Sequence, residues 1–85
     1  MASPILAIDD DRAVLHLIEQ ALQPLGLPVI KAGTADEGLQ QIDRERPDVL
    51  LLDIKLPGVS GLDLLERIQQ IDRKLPVIFI TADTD

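Results

Sequence analysis

Three short apolar runs in this chain each end on oxygen-bearing residues. Pro4-Ile5-Leu6-Ala7-Ile8 runs into Asp9-Asp10-Asp11, Val49-Leu50-Leu51-Leu52 runs into Asp53, and Val77-Ile78-Phe79-Ile80 runs into Thr81. An acidic residue directly on the most apolar run of the chain is poorly explained by packing, because a buried charge without a partner is costly. Carboxylates in such a place can ligate a hard cation, and an aspartate can attack phosphorus to give an acyl phosphate. If the strands carrying Asp9, Asp10 and Asp53 are neighbours, their mutual repulsion raises at least one carboxyl pKa unless a cation neutralises it. An all-oxygen set that leaves positions open for water and a phosphate suits Mg²⁺ better than zinc or a protein-caged calcium. A threonine at the third strand end could donate its hydroxyl to a transferred group.

These residues converge only if the runs are parallel strands. The unalternated apolar runs Pro4 to Ile8 and Asp48 to Asp53 read as strands buried on both faces, the second of them central. Between them, Arg12 to about Leu25 has helical spacing at Val14, Leu17, Ile18, Ala21, Leu22 and Leu25, and Pro24-Leu25-Gly26 stops it. Leu27 to Lys31 reads as a second strand. Thr34-Ala35-Asp36-Glu37 has the form of a capping box for a helix that runs to about Arg46, before Pro47. Leu56-Pro57-Gly58-Val59-Ser60-Gly61 reads as a loop in which Gly58 and Gly61 supply backbone freedom. Ser60 then caps a third helix that turns Leu62, Leu65, Ile68 and Ile71 inward. Lys74-Leu75-Pro76 leads to a fourth strand, Val77 to Thr81.

The pattern is βαβαβαβ, an α/β fold with a parallel sheet and right-handed crossovers. Ligands of such sheets bind at the C-terminal strand ends, where the strand order reverses, so Asp9, Asp10, Asp53 and Thr81 share one edge. Asp11 reads as a helix cap, and His16 as a solvent-facing residue without a second ligand.

In these blocks the chain resembles a receiver domain of the two-component response regulators. The resemblance rests on Ile8-Asp9-Asp10-Asp11, on Leu52-Asp53-Ile54-Lys55-Leu56-Pro57-Gly58 with Gly61, and on Pro76-Val77-Ile78-Phe79-Ile80-Thr81-Ala82. It is most similar to receivers of the NtrC-like transcriptional regulators. The resemblance implies a flavodoxin-like doubly wound sheet of order 2-1-3-4, with residues 1–85 forming a partial receiver that lacks the family's last helix, strand and helix. It further implies that Asp53 accepts a phosphoryl group from a sensor kinase phosphohistidine. Mg²⁺ would be held by Asp10 and Asp53 directly, by Asp9 through water and by the Lys55 backbone carbonyl. Thr81 would be the switch hydroxyl, with Lys55 and Asp83 flanking the phosphate and able to pair over it. The lysine that usually contacts the phosphoryl group from a fifth strand has no counterpart here.

Composition narrows the alternatives. Fifteen acidic against eight basic residues give a formal charge of −7, which disfavours direct binding to nucleic acid or anionic membranes. Without cysteine there is no disulfide, thiolate or Cys-based zinc chemistry, and the start lacks the marks of a signal peptide, so the chain reads as cytoplasmic. Phe79 is the only aromatic residue, so the core is aliphatic. At 85 residues a single core leaves a thin margin of stability, and an apolar fourth strand at the sheet edge predicts self-association, by edge pairing or by exchange of elements. Two further functions remain open: a phosphatase working through an aspartyl phosphate, and an interaction module independent of phosphorylation. The phosphatase reading lacks a second acid near Asp53, since Lys55 stands two residues on.

Overall fold

The computed structural model describes residues 4–80. Four strands, β1 (Ile5–Ile8), β2 (Val29–Ala32), β3 (Val49–Asp53) and β4 (Val77–Ile80), alternate with three helices, α1 (Arg12–Leu22), α2 (Ala35–Glu45) and α3 (Gly61–Ile71). All pairings are parallel and the order is β2-β1-β3-β4, as expected of the flavodoxin-like arrangement. The chain moves from β1 to β2 in one direction and from β2 across to β3 in the other. With right-handed crossovers, that reversal puts α1 on one face of the sheet and α2 and α3 on the opposite face. Thr81, Asp83 and the proposed Lys55–Asp83 pair lie outside the described residues.

The main core lies between the sheet and α2 and α3, where Leu6, Ile8, Leu50 and Leu52 meet Ile42, Leu64 and Ile68. Each of these side chains is buried. Gly38 lets α2 approach β1 closely, because a Cβ there would collide with Ile8 Cδ1 and Cγ1.

Local chemistry sets the helix starts. Thr34 Oγ1 accepts from Glu37 N–H, as in a capping box, while Glu37 Oε2 reaches one residue further back and accepts from Gly33 N–H instead of the N-cap N–H. Ser60 caps α3 by accepting from Asp63 N–H, and α2 ends on Arg46 in the left-handed region at φ 49°. Gly58 needs its backbone freedom, at φ 73°, whereas Gly61 does not: it opens α3 in ordinary helical conformation.

Helix phase departs from expectation in two places. In α3 the fully buried residues are Leu64 and Ile68, while Leu62 is 73% exposed. At about 100° per residue Leu64, Ile68 and Ile71 fall within roughly 60° of one another, and Leu62 lies at least about 120° away. In α1 the buried residue is Leu15, and Leu17 is 64% exposed. The same geometry puts Leu15, Ile18 and Leu22 on one face and turns Leu17 and Ala21 off it. Among the strands α1 touches β1 and β2 only, so nothing described covers its far flank. Smaller shifts occur at element ends: β2 starts at Val29 rather than Leu27, and Gln23–Leu25 forms a 3₁₀ turn rather than the end of α1.

Candidate functional site

Register builds the site. Ile8 pairs with Leu52 across β1 and β3, so the next residue on each strand, Asp9 and Asp53, emerge side by side where the sheet order reverses. Asp10 follows on the loop into α1. Carboxylate oxygens of Asp9, Asp10 and Asp53 all lie within 4.8 Å of one another. The sequence expectation that distant residues would gather at one edge is met for these three.

Their surroundings differ. Asp9 is the one buried charged residue among those described, only 4% exposed. Its Oδ1 accepts from Asp11 N–H at 2.9 Å, and its own N–H donates to the Ala32 carbonyl. Burial is the main force pushing the Asp9 carboxyl above the ordinary 3.8, partly opposed by the Asp11 N–H bond, with Asp53 and then Asp10 adding to the rise. Asp10 is exposed and Asp53 partly so. Asp53 Oδ1 accepts from Lys55 N–H at 3.0 Å, an Asx turn that fixes the rotation of the carboxylate. Asp11 stands apart as the cap of α1, with its carboxylate on Ala13 N–H, as its sequence context suggested. His16 is exposed on α1, again as expected.

Three oxygen donors of hard character, one buried, one partly buried and one exposed, form a fitting cradle for Mg²⁺. An open site matters because Mg²⁺ dehydrates reluctantly and keeps several waters. Beside the triad runs a groove of about 340 Å³ lined by Asp10, Gly33, Thr34, Leu56, Pro57 and Val59. The β2–α2 loop was not among the residues picked out for the site. Its place was implicit in the strand order, because β2 flanks β1 and therefore ends at the same edge. Leu56 is buried and anchors the β3–α3 loop against the core.

Comparison with known proteins agrees with this geometry. TrcR of Mycobacterium tuberculosis, a transcriptional regulatory protein, is 40% identical over 92% of this chain, which covers 30% of that protein. The DNA-binding transcriptional regulator NtrC of Klebsiella pneumoniae is 41% identical over 92% of the chain and is covered over 17% of its length. The chain thus spans about a third or less of these relatives. Among solved structures, a CheY-like receiver domain protein from Methanospirillum hungatei is 36% identical with a TM-score of 0.89, over all of this chain and 68% of that one. The response regulator TrrA of Thermotoga maritima, solved in complex with Mg²⁺-BeF, is 30% identical with a TM-score of 0.86, over 99% of this chain and 72% of that one. Residues 5–85 match the response regulator receiver domain, and the chain belongs to that family.

Proposed function

We propose that the chain is a phosphoacceptor signalling domain in which Asp53 receives a phosphoryl group from the phosphohistidine of a sensor kinase. The observation that carries this reading is the convergence of Asp9, Asp10 and Asp53 at the reversal of strand order. An Asp53 carboxylate oxygen attacks phosphorus as the bond to the imidazole nitrogen breaks; with the donor's other ring nitrogen protonated, the products are an acyl phosphate on the protein and a neutral imidazole on the donor. Asp10 and Asp53 would hold Mg²⁺ directly, Asp9 would hold it through water, and the Lys55 carbonyl would contribute a further oxygen. The cation, when bound, offsets the charge that otherwise keeps an anionic nucleophile from a phosphate. The Lys55 N–H bond orients the Asp53 carboxylate, and Asp9 Oδ1, accepting from Asp11 N–H, holds the start of the β1–α1 loop. Thr81 serves as the switch hydroxyl, with Lys55 and Asp83 beside the phosphate. TrrA supports the cofactor assignment, since its structure is a complex with Mg²⁺-BeF.

In this reading residues 1–85 act as one partial receiver unit in the cytoplasm, and catalysis extends no further than the domain's own phosphorylation and dephosphorylation. None of the described helices is long and apolar enough to cross a membrane. The charge of −7 argues against direct contact with nucleic acid, so any role in transcription belongs to other segments of the relatives. In this reading the chain's other partner is a second copy of itself.

Incubation with Mg²⁺ and a small phosphodonor, followed by intact mass, separates the functions. A slowly decaying adduct of one phosphoryl unit, lost in Asp53→Asn, is the expected result. Multiple turnover of the donor points instead to a phosphatase, and the absence of any adduct to an interaction module that works without phosphorylation.

A further inference from the structure

A cavity of about 610 Å³ opens on Asp10 from the β2 side of the sheet, between the start of α1 and the end of β2. Arg12, His16, Lys31 and Glu37 line it. Most of its charges are already engaged. Lys31 Nζ lies 3.0 Å from Glu19 Oε1, Glu37 Oε2 accepts from Gly33 N–H, and Asp10 belongs to the acidic triad. The side chains of Arg12 and His16 have no hydrogen-bond or ion-pair partner among the described residues. For Arg12 this is informative, because it directly follows three aspartates. Two of those carboxylates are turned to backbone instead, Asp9 Oδ1 to Asp11 N–H and Asp11 Oδ1 to Ala13 N–H. Arg12 opens α1, and His16 stands four residues on, one turn along the same face. Strands β1 and β3 separate this flank from β4, and Pro4 stands at the opposite edge of the sheet, so neither end of the described chain borders the cavity.

We infer that Arg12, assisted by His16, binds the incoming phosphoryl donor at this cavity before transfer to Asp53. This role presupposes Asp53 as the phosphoacceptor. The donor is an anionic phosphorus–nitrogen compound, either a small phosphoramidate or a phosphohistidine. It must approach three carboxylates, and an uncommitted cation beside them offsets the repulsion and raises its local concentration. A guanidinium suits the task because its fork of N–H groups matches two phosphoryl oxygens at once. The His16 ring can donate a further N–H. Both residues are exposed, so the contact is screened and modest, worth about three- to fivefold in affinity. It acts on binding of the donor and leaves the chemical step to Asp53 and the cation.

Initial rates of adduct formation with phosphoramidate, followed by intact mass at saturating Mg²⁺, test this. In Arg12→Gln KM should rise about three- to fivefold with kcat unchanged. Arg12→Lys should recover part of the loss, and the deficit should shrink as ionic strength rises above about 0.15 M. Arg73→Gln removes the same charge from an exposed residue beyond α3, at the far edge of the sheet, and should match the wild type. Mg²⁺ affinity measured by calorimetry should not weaken in Arg12→Gln, which separates a lost donor contact from a damaged site. A phosphohistidine-bearing peptide should show the same loss as phosphoramidate, since the contact is to the phosphoryl group. A loss confined to the peptide would place Arg12 against the partner's polypeptide and overturn the inference. So would a wild-type KM in Arg12→Gln, or a loss that lies in kcat or in Mg²⁺ affinity, and each of these leaves Asp53 as the acceptor. A wild-type chain that takes no adduct overturns the phosphoacceptor reading and this role with it.

Discussion

Replacing Asp53 with Asn removes one charge from a cluster of three and should make the metal-free chain more stable. Two unit charges 4.8 Å apart repel by about 0.9 kcal/mol in water and about 3.5 kcal/mol at an effective dielectric of 20. Asp9 is buried and Asp10 exposed, so the real environment lies between these limits. The substitution keeps an oxygen for Lys55 N–H and gives Asp9 an amide donor in place of a like charge. A net gain of about 1–2 kcal/mol follows, and for a domain of this size each kcal/mol raises Tm by roughly 4–8 °C. Thermal unfolding in chelator at neutral pH measures it. Magnesium should invert the order: at 100 times its Kd a ligand adds about 2.7 kcal/mol to the state that binds it, and Asp53→Asn loses most of that gain. An Asp53→Asn chain that melts at or below the wild type in chelator would show that the cluster is not a site of stored repulsion.

The Asp9 carboxyl, raised above 3.8 chiefly by burial, keeps a proton in the folded chain that the unfolded chain has already lost. Its contribution to stability is therefore fully present below pH 3.8 and is lost as pH rises through the folded value. In chelator, urea titrations across that window should show a fall in stability that Asp9→Asn flattens; parallel curves would contradict the assignment. Leu64→Ala should cost about 2–5 kcal/mol and Leu62→Ala less than about 0.5, which tests the phase of α3 by chemical denaturation. Gly38→Ala should destabilise by about 1–3 kcal/mol despite the better helix propensity of alanine, since the new methyl group must displace Ile8. A stabilised Gly38→Ala chain would show that α2 can retreat from β1 at no cost.

Much of the site could be read before the fold was known. Asp9 and Asp53 each sit directly after an apolar run, and once the runs are parallel neighbours the register alone brings the carboxylates together. The order of strands followed from alternating elements and right-handed crossovers, which leave few other arrangements. Helix phase was harder. Leucines at positions 62, 64 and 65 offer two overlapping stripes in α3, and a chain of steps by three drifts around the helix until it includes Leu62. The arc shared by Leu64, Ile68 and Ile71 was present in the sequence but needed an angular rather than a pairwise reading. The groove lined by Gly33 and Thr34 left no chemical signal of its own, because its residues are also those of an ordinary capping box.

In the proposed function the Asp53 carboxylate is the group that takes the phosphoryl. Borohydride reduces an acyl phosphate to an alcohol, so treating the phosphodonor-reacted chain and then mapping its peptides by mass locates the acceptor residue. Homoserine is expected at position 53, formed only when Mg²⁺ was present and in proportion to the phosphoryl adduct. Homoserine at Asp9 or Asp10, or an adduct that borohydride leaves unchanged, would contradict it.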